Sequence, residues 1–246
     1  MAENGHENGT NGATAEKRKA ENGENGDSHN GVAKREKLEG GTLLFSGATD
    51  WKMVGRKGTE LVKSANTKWS PVRLEALKDI DIVAVNKGCK SAFCMAIDVD
   101  GKVYSWGRNE AGQLGLGDST DHFVPSVVND ITGYEVVEVA TGKAHSLFLT
   151  SCGKVLAAGS NEQGQCGQGR KTGNLDTPKL VVHDGADIVS VACGAEFSVL
   201  LDKEGKVWTF GHPENGTLGH NDDGKFMQKA NKVCIHLFYV SVIIFI

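Results

Sequence analysis

Short runs of alternating apolar and polar residues fill the middle of this chain. Residues 103–106 (VYSW) and 136–140 (VVEVA) alternate and are rich in β-branched and aromatic side chains, a pattern typical of half-buried strands. Residues 146–150 (SLFLT) form an apolar run bounded by turn residues. The region does not sustain the 3.6-residue period of an amphipathic helix. The pattern therefore predicts an all-β region made of short strands.

Glycine-containing turns separate these strands at a fixed interval. The tripeptide Gly-Lys-Val at 101–103 returns at 153–155 and at 205–207, 52 residues apart each time. Other glycines and prolines keep offsets of 52 to 54: Gly88, Gly142 and Gly194; Gly107, Gly159 and Gly211; Gly115, Gly167 and Gly219; Pro71, Pro125 and Pro178. A period near 50 built from about four strands is typical of a propeller blade.

Two glycine runs, 112–117 (GQLGLG) and 164–169 (GQCGQG), look at first like phosphate-binding loops. Such a loop needs a preceding strand, a following helix and an acidic residue about 20 positions on. The sequence that follows each run has no helical pattern, and both runs occupy the same phase of the repeat. We interpret them as tight turns that need positive φ angles.

The repeat itself resembles that of a known family. Residues 101–118 (GKVYSWGRNEAGQLGLGD) resemble the repeat of the regulator of chromosome condensation family, and several positions match in three successive units. Residues 47–57, 192–198 and 211–226 resemble the branch formed by the second member of that family. The resemblance covers residues 42–232, which are 191 of the 246 residues. It implies a seven-bladed β-propeller.

The length of the chain is short for that fold. Seven units of 52 residues would need 364 residues, so 191 residues supply about 3.7 units. We therefore expect an incomplete propeller, about 3.7 of 7 blades. The expected divisions are a disordered low-complexity arm (1–39), a degenerate first blade (40–87), a second blade region (88–141), a third blade region (142–193), a partial blade (194–232) and an apolar tail (233–246).

The tail 233–246 departs from the repeat. A helix of 14 residues would span about 21 Å against roughly 30 Å of hydrocarbon, so we do not expect a membrane anchor. Its β-branched and aromatic content is typical of an aggregation-prone strand. We interpret the tail as foreign to the propeller, in a chain cut short by alternative splicing or an erroneous gene model. A genuine short isoform is the alternative.

The N-terminal arm repeats Glu-Asn-Gly and contains no aromatic residue, so it cannot bury enough apolar surface to offset backbone ordering. Two basic clusters in it form a candidate nuclear-import signal: Lys17, Arg18, Lys19, Lys34, Arg35 and Lys37. The alternative is a solvated charge run. The arm holds six Lys/Arg against eight Asp/Glu, which gives no strong signal for direct nucleic-acid binding.

Composition and candidate chemistry point away from an enzyme. The net charge is −4, and the six cysteines show neither a Cys-x-x-Cys pair nor zinc spacing, which favours free thiols in a reducing compartment. His145 matches the phase of Ser91 and Phe197, so we interpret it as a hydrogen-bonded blade residue. His212 and His220 have spacings that indicate no particular metal. We expect no catalytic residues, cofactor or metal.

Surface loops carry the candidate partner-binding residues. An acidic residue recurs at one phase of the repeat, as Asp50, Glu110, Glu162 and Glu214. These carboxylates either form an acidic ring for a basic partner or accept N–H groups of their own turns. The candidate surface comprises Asp50, Trp51, Arg56, Lys57, Arg108, Glu110, Glu162 and Glu214. Trp51 is either a hot spot for a partner or a plug in an irregular blade.

The resemblance also implies a function. The founding member of the family is an exchange factor that acts on a small GTPase through an inserted hairpin wedge, for which the regular spacing over 88–230 leaves no room. The matching branch is linked to chromosomes, centromeres, microtubules and the midbody in mitosis, and to Rac- and Ral-type GTPases. The resemblance thus implies a scaffold of nucleus and cytoplasm, located at chromosomes, centromeres, spindle and midbody in mitosis. Exchange would then act through surface contacts. The alternatives are a truncated isoform, non-functional or regulatory, and an enzyme with an axial pocket.

Overall fold

The computed structural model describes residues 39–47, 68–88, 90–131, 133–169 and 172–219, apart from the side chains of Trp69 and Asn215. The arm before residue 39 and the tail 233–246 lie outside this part of the chain. The described residues form antiparallel strands and three single-turn 3₁₀ helices: Glu75–Leu77, Asn129–Ile131 and Glu214–Gly216. The all-β prediction is confirmed.

The strands pair with their neighbours in sequence to give four sheets. The first sheet contains β1 (Leu44–Gly47) and β2 (Lys68–Arg73). The second contains β3 (Ile82–Val85), β4 (Phe93–Asp98), β5 (Val103–Gly107) and β6 (His122–Val127). The third contains β7 (Val136–Thr141), β8 (His145–Thr150), β9 (Val155–Gly159) and β10 (Leu175–Leu180). The fourth contains β11 (Ile188–Cys193), β12 (Phe197–Asp202) and β13 (Val207–Gly211).

The sheets begin one strand earlier than the divisions expected at residues 88, 142 and 194. The third sheet begins with β7 at Val136, and β7 pairs with β8 across the expected boundary. The glycine at each division lies in the turn between the first two strands, where Gly142 N–H donates to His145 O at 2.8 Å. A sequence period has no intrinsic starting point, so hydrogen bonding, and not the period, sets the phase of each sheet.

Apolar side chains join each sheet to the next. Met95 and Ile97 of β4 pack with Phe148 of β8 in one buried cluster. Leu147 and Leu149, on the opposite face of β8, pack with side chains of the fourth sheet in another cluster. Because both faces of β8 are covered, all six of its residues are buried, and its central residues Leu147, Phe148 and Leu149 are apolar without alternation.

Backbone hydrogen bonds reinforce this stacking at the same phase of each repeat. Val136 N–H donates to Gly101 O at 3.1 Å, and Ile188 N–H donates to Gly153 O at 2.9 Å. Each bond joins the first strand of one sheet to a hairpin of the sheet before it. A parallel bridge between Lys87 and Ala140 also joins two successive sheets. Sheets stacked in chain order around their first strands are propeller blades, which confirms the predicted fold class.

The recurring prolines mark the outermost strands. Pro71, Pro125 and Pro178 lie in β2, β6 and β10, and each of these strands pairs on one side only among the strands that the structure describes. Proline has no N–H to donate, so it is tolerated where one side of a strand has no partner, and there it discourages edge-to-edge association.

A glycine with positive φ ends the third strand of each blade. Gly107 has φ of 120°, and Gly47, at the same phase in the first sheet, has φ of 118°. A Cβ atom at Gly107 would lie 2.5 Å from the Cα of Phe93, whereas a Cβ at Gly47 would meet nothing within 4 Å. Substitutions at these two glycines therefore separate the free-energy cost of backbone strain from the free-energy cost of close packing.

We expect Gly107→Ala to destabilise the protein more than Gly47→Ala. Both substitutions force an L-residue into a strained backbone region at about 1–2 kcal/mol, and only Gly107→Ala adds a clash with the β4 backbone, worth about 1–3 kcal/mol more. Urea unfolding of the two variants measures the difference directly. Equal losses of stability would show that the close approach of β5 to Phe93 does not contribute to the free energy of unfolding.

Candidate functional site

The described candidate residues lie at one end of the stacked sheets. Successive strands run antiparallel, so the turn after each first strand and the loop after each third strand share one end of the sheet. We call this end the loop face, and it carries Arg108, Glu110, Glu162 and Glu214 on the loops that follow β5, β9 and β13. The opposite end, the hairpin face, carries the turns between second and third strands. Asp50, Trp51, Arg56, Lys57 and the basic residues of the candidate import signal lie outside the described residues.

The recurring acidic position of the loop face occurs once in each of three sheets. Glu110, Glu162 and Glu214 are exposed, and Arg108 is half-buried. Glu214 Oε2 lies 3.7 Å from Nδ1 of His212. The candidates are thus distributed along successive loops and do not converge on one point. Such an arrangement offers charge to a broad partner surface.

Two buried asparagines hold these loops. Asn109 Oδ1 accepts the N–H of Leu114 at 2.9 Å, and its Nδ2 donates to Asp118 O at 2.9 Å and to Asp118 Oδ1 at 2.8 Å. Asn161 repeats the arrangement, accepting from Cys166 N–H at 2.9 Å and donating to Thr172 Oγ1 at 2.8 Å. Both asparagine side chains are fully buried. Unsatisfied buried amides would be costly, so these bonds fix the loop conformation.

Sequence reasoning overlooked these asparagines, although the signal was present. Asn109 and Asn161 recur 52 residues apart, directly before Glu110 and Glu162. The charge of the recurring carboxylate is the stronger signal in the sequence, yet it is the neighbouring asparagine that accepts backbone N–H groups of these loops. The proposed acidic ring stays a prediction.

The same loops form hydrogen bonds to the following sheet, and we call these contacts the loop clamp. Gln113 O accepts Ser146 Oγ–H of the next sheet at 2.7 Å, and Gln165 O accepts Ser198 Oγ–H in the same way at 2.7 Å. Each glutamine side chain also accepts a backbone N–H of its own loop at 2.9 Å. Bonds at the same phase in two successive loops show that the clamp belongs to the repeat.

The glycine runs belong to this clamp. Gly117 N–H donates to Asp176 O of β10 at 2.9 Å. Gly115 has φ of 70°, and a Cβ there would lie 3.0 Å from Pro178. Protein atoms of the next sheet thus occupy the space beside the run 112–117, which agrees with its interpretation as a set of tight turns.

His145 joins two sheets through a buried hydrogen bond. Its Nε2 lies 3.0 Å from Ser198 Oγ, and Ser198 has already donated its only hydroxyl proton to Gln165 O. The Nε2 atom must therefore carry the proton and donate. Burial lowers the pKa of His145 to about 4, so the ring is neutral at pH 7. The interpretation of a hydrogen-bonded blade histidine agrees with this geometry.

The repeat phase assigned to His145 was wrong at one position. His145 pairs with Gly159 as Phe93 pairs with Gly107 and Phe197 pairs with Gly211. Its equivalent in the second sheet is therefore Phe93 and not Ser91. The turn between β3 and β4 spans seven residues, against three in each of its counterparts, and this shifts the apparent phase.

The hairpin face uses its carboxylates internally. Asp202 Oδ1 accepts the N–H groups of Glu204 at 3.0 Å and Lys206 at 2.9 Å, while Oδ2 accepts Trp208 Nε1–H at 2.8 Å. Burial alone would raise the pKa of Asp202, but these hydrogen bonds hold it below its ordinary value. This carboxylate stabilises a hairpin and is not available to a partner.

Two thiols of the second and third sheets have little nucleophilic character. Burial raises the pKa of the Cys94 thiol to about 11 and that of Cys166 to about 12, which makes both poor nucleophiles. Among the described side chains no three His, Cys, Asp or Glu residues are grouped to hold a metal ion. His220, considered with His212, lies outside that part of the chain. The described helices are also too short to cross a membrane.

Comparison with known families identifies the repeat. A profile for the regulator of chromosome condensation (RCC1) repeat matches residues 100–149 and 152–201. A second profile of the same description matches residues 136–165 and 188–217. Together the two profiles span residues 100–217, from just before β5 to just beyond the end of the fourth sheet.

Similar curated proteins carry the same repeats. Protein RCC2 homolog of Xenopus laevis is 41% identical over 206 residues, which are 80% of this chain and 40% of that protein. Human Protein RCC2 is 39% identical over 209 residues, 81% of this chain and 40% of that protein. The chain thus spans 40% of the length of these relatives.

Solved structures agree on the fold. Yeast RCC1 (Prp20), in a complex with Kap60, superposes with a TM-score of 0.63 at 20% identity and covers 82% of this chain and 46% of its own. Prp20p of Saccharomyces cerevisiae superposes with a TM-score of 0.51 at 24% identity, over 61% of this chain and 35% of its own.

We expect Asn109→Ala to lower stability strongly and Glu110→Ala to leave it nearly unchanged. The first change leaves the buried N–H of Leu114 without an acceptor, at about 1–3 kcal/mol, whereas the interactions of an exposed carboxylate contribute only about 0–1 kcal/mol. Urea unfolding compares these neighbouring positions. If Glu110→Ala proves as damaging as Asn109→Ala, the carboxylate and not the amide holds the loop.

His145 makes the stability of the fold depend on pH in a defined window. Its pKa is about 4 in the folded chain and about 6.5 in the unfolded chain. The unfolded state therefore binds more protons between these values, and stability falls as the pH falls from about 6.5 to 4. The loss is on the order of 3 kcal/mol.

The variant His145→Phe should flatten this part of the stability curve, because phenylalanine occupies the equivalent position in two other sheets. Urea unfolding at several pH values between 7 and 4, for wild type and variant, provides the measurement. Below about pH 4 both proteins should lose stability together, because carboxylates such as Asp202 then become protonated. An unchanged slope between pH 6.5 and 4 in the variant would show that another group titrates there.

Proposed function

Because residues 100–217 make this chain a member of the regulator of chromosome condensation (RCC1) repeat family, we propose that it is a binding scaffold that regulates small GTPases. The partners we propose are GTPases of the Rac and Ral type. The chain acts by contact through its loop face and catalyses no bond-making step of its own.

The observation that carries this proposal is the loop face itself. Three exposed carboxylates, those of Glu110, Glu162 and Glu214, stand on successive loops. Buried Asn109 and Asn161 fix the first two of these loops before any partner arrives. A surface that is ordered in advance loses less conformational entropy on binding, which favours affinity. Acidic residues also steer a partner with a basic surface.

The relatives support the same class of function. This chain is 39–41% identical to the RCC2 proteins of human and Xenopus laevis. The solved structure of yeast Prp20p comes from a study of its binding to Gsp1p and histones. The chain spans 40% of the length of the RCC2 relatives. The activity of the whole relatives is therefore a proposal for this chain.

Guanine-nucleotide exchange would follow from the same contacts. A scaffold that binds the nucleotide-free GTPase more tightly than the GDP-bound form shifts the GTPase towards nucleotide release. Such an exchange factor needs a differential contact surface and no catalytic base. We also propose microtubules and chromosomal proteins as partners, with the protein in nucleus and cytoplasm and, in mitosis, at chromosomes, centromeres, spindle and midbody.

A direct binding measurement tests the proposal. The full chain should bind nucleotide-free Rac or Ral more tightly than the GDP-loaded form in a titration calorimetry or interferometry experiment. The double variant Glu110→Lys/Glu162→Lys should weaken binding at least about 10-fold, because it reverses the charge of two contact loops. The control Asp100→Lys/Glu204→Lys makes the same charge change on the hairpin face and should bind like wild type.

Release of fluorescent GDP from Rac and Ral separates exchange from simple binding. Faster release with wild type, reduced in the loop-face variant only, supports an exchange factor. Binding without faster release leaves a scaffold that has no exchange activity. Failure to bind either GTPase in either nucleotide state contradicts the proposal, and equal weakening by both double variants contradicts the choice of the loop face.

A further inference from the structure

Two of the prolines in the outer strands directly follow a residue with a hydroxyl side chain. The chain has four prolines, and three of them occupy one phase of the repeat in β2, β6 and β10. The residue before the proline is Ser70 in β2, Val124 in β6 and Thr177 in β10. The fourth, Pro213, follows a histidine. Ser70-Pro71 and Thr177-Pro178 are therefore the only hydroxyl–proline pairs in the sequence.

The first of these pairs is open to solvent. Ser70, Pro71 and Arg73 are all exposed. They lie in β2, and β1 is the one strand that pairs with it within the described part of the chain. The register between β1 and β2 shifts between Phe45 and Gly47, opposite this part of β2, so the ladder is irregular there. The segment is thus an extended, accessible edge strand at Ser70.

The second pair, Thr177-Pro178, is covered by a neighbouring loop. Thr177 is half-buried and Pro178 is buried. The loop after β5 lies over this strand, where a Cβ at Gly115 would meet Pro178 at 3.0 Å and Gly117 N–H bonds to Asp176 O at 2.9 Å. The clamp between the second and third sheets therefore blocks access to Thr177.

The charges around the two pairs differ as well. Ser70 has Lys68 two positions before it and Arg73 three positions after it, both exposed. Thr177 is followed at the third position by Leu180. An enzyme that recognises a hydroxyl–proline pair can make a second contact if it has an acidic groove. A guanidinium three residues after the hydroxyl offers that groove a charge-assisted hydrogen bond. That contact exists at Ser70 and is missing at Thr177.

We propose that Ser70 is a phosphorylation site for a proline-directed Ser/Thr kinase that prefers a basic residue three positions after the hydroxyl. Ser70 Oγ attacks the γ-phosphorus of the kinase's Mg–ATP and gives its proton to the kinase's catalytic aspartate. The Oγ–P bond forms, the bond from the γ-phosphorus to the bridging oxygen breaks, and ADP leaves. The inference does not depend on the proposed function.

Phosphorylation would change the electrostatics of this edge of the first sheet. A phosphoserine carries about −1.5 to −2 charges near pH 7, and it would stand between Lys68 and Arg73. The two cations and the phosphate would then nearly neutralise one another. An edge that is basic before modification becomes close to neutral after it.

A kinase assay on the folded full chain tests the site. Purified protein is incubated with Mg–ATP and a cyclin-dependent kinase of known preference for Ser-Pro-x-Arg, and the product is mapped by tandem mass spectrometry. We expect one phosphate, on Ser70. Ser70→Ala should remove this incorporation, and the matched control Thr177→Ala should retain it. Arg73→Gln should slow the reaction about 10-fold, as expected for one lost charge-assisted contact.

Each other outcome overturns the inference. Undiminished incorporation in Ser70→Ala shows that the phosphate resides elsewhere, and mapping to Thr177 shows that the clamp does not protect that strand. Absence of phosphate on folded wild type, while a peptide of residues 64–77 is phosphorylated, shows that β2 is not accessible in the fold. Circular dichroism of the exposed-site variant Ser70→Ala confirms that it folds, since its stability should change by no more than about 0.5 kcal/mol.

Discussion

The fold depends on one constraint, namely that a sheet of this repeat must cover both of its faces. A strand such as β8 is apolar on both sides, with Leu147 facing one neighbour and Phe148 the other. Neither face could be left in water without losing about 1.5–3 kcal/mol per large side chain. In β12 buried residues alternate with more exposed ones, and buried Leu200 belongs to the cluster shared with the third sheet. Stacking between successive sheets, more than pairing within one, therefore decides the architecture.

Buried polar residues of the repeat also hold successive sheets together. The side chains available for binding a partner are therefore those that stay exposed. Ser146 and Ser198 bond to loop carbonyls of the preceding sheet, while buried Asn109 and Asn161 fix the loops that provide those carbonyls. The loop face also exposes charged side chains, those of Glu110, Glu162 and Glu214. A rigid scaffold with exposed charges is suited to recognising another protein surface, and this links the packing of the sheets to the proposed regulation of GTPases.

Sequence alone predicted the strands, their turns and the stacking, because these follow from local pattern and from the 52-residue period. It could not set the phase of the sheets, since that depends on hydrogen bonds between β7 and β8 across the expected boundary. Ser91 was matched to His145 because a longer turn hides the equivalence with Phe93. The buried role of Asn109 was missed because burial is set by loops of the fold, and the charge of Glu110 was the stronger signal in the sequence.

The loop clamp is part of the core of this fold, and native-state hydrogen exchange tests this directly. The amide hydrogens of Leu114 and Cys166 are bonded to the buried asparagines, so they should exchange only through the same large opening that exposes the amides of β8. Equal free energies of exchange for these loop amides and for β8 would support the account. Exchange of the two loop amides at the rate of an open surface loop, while β8 remains protected, would contradict it.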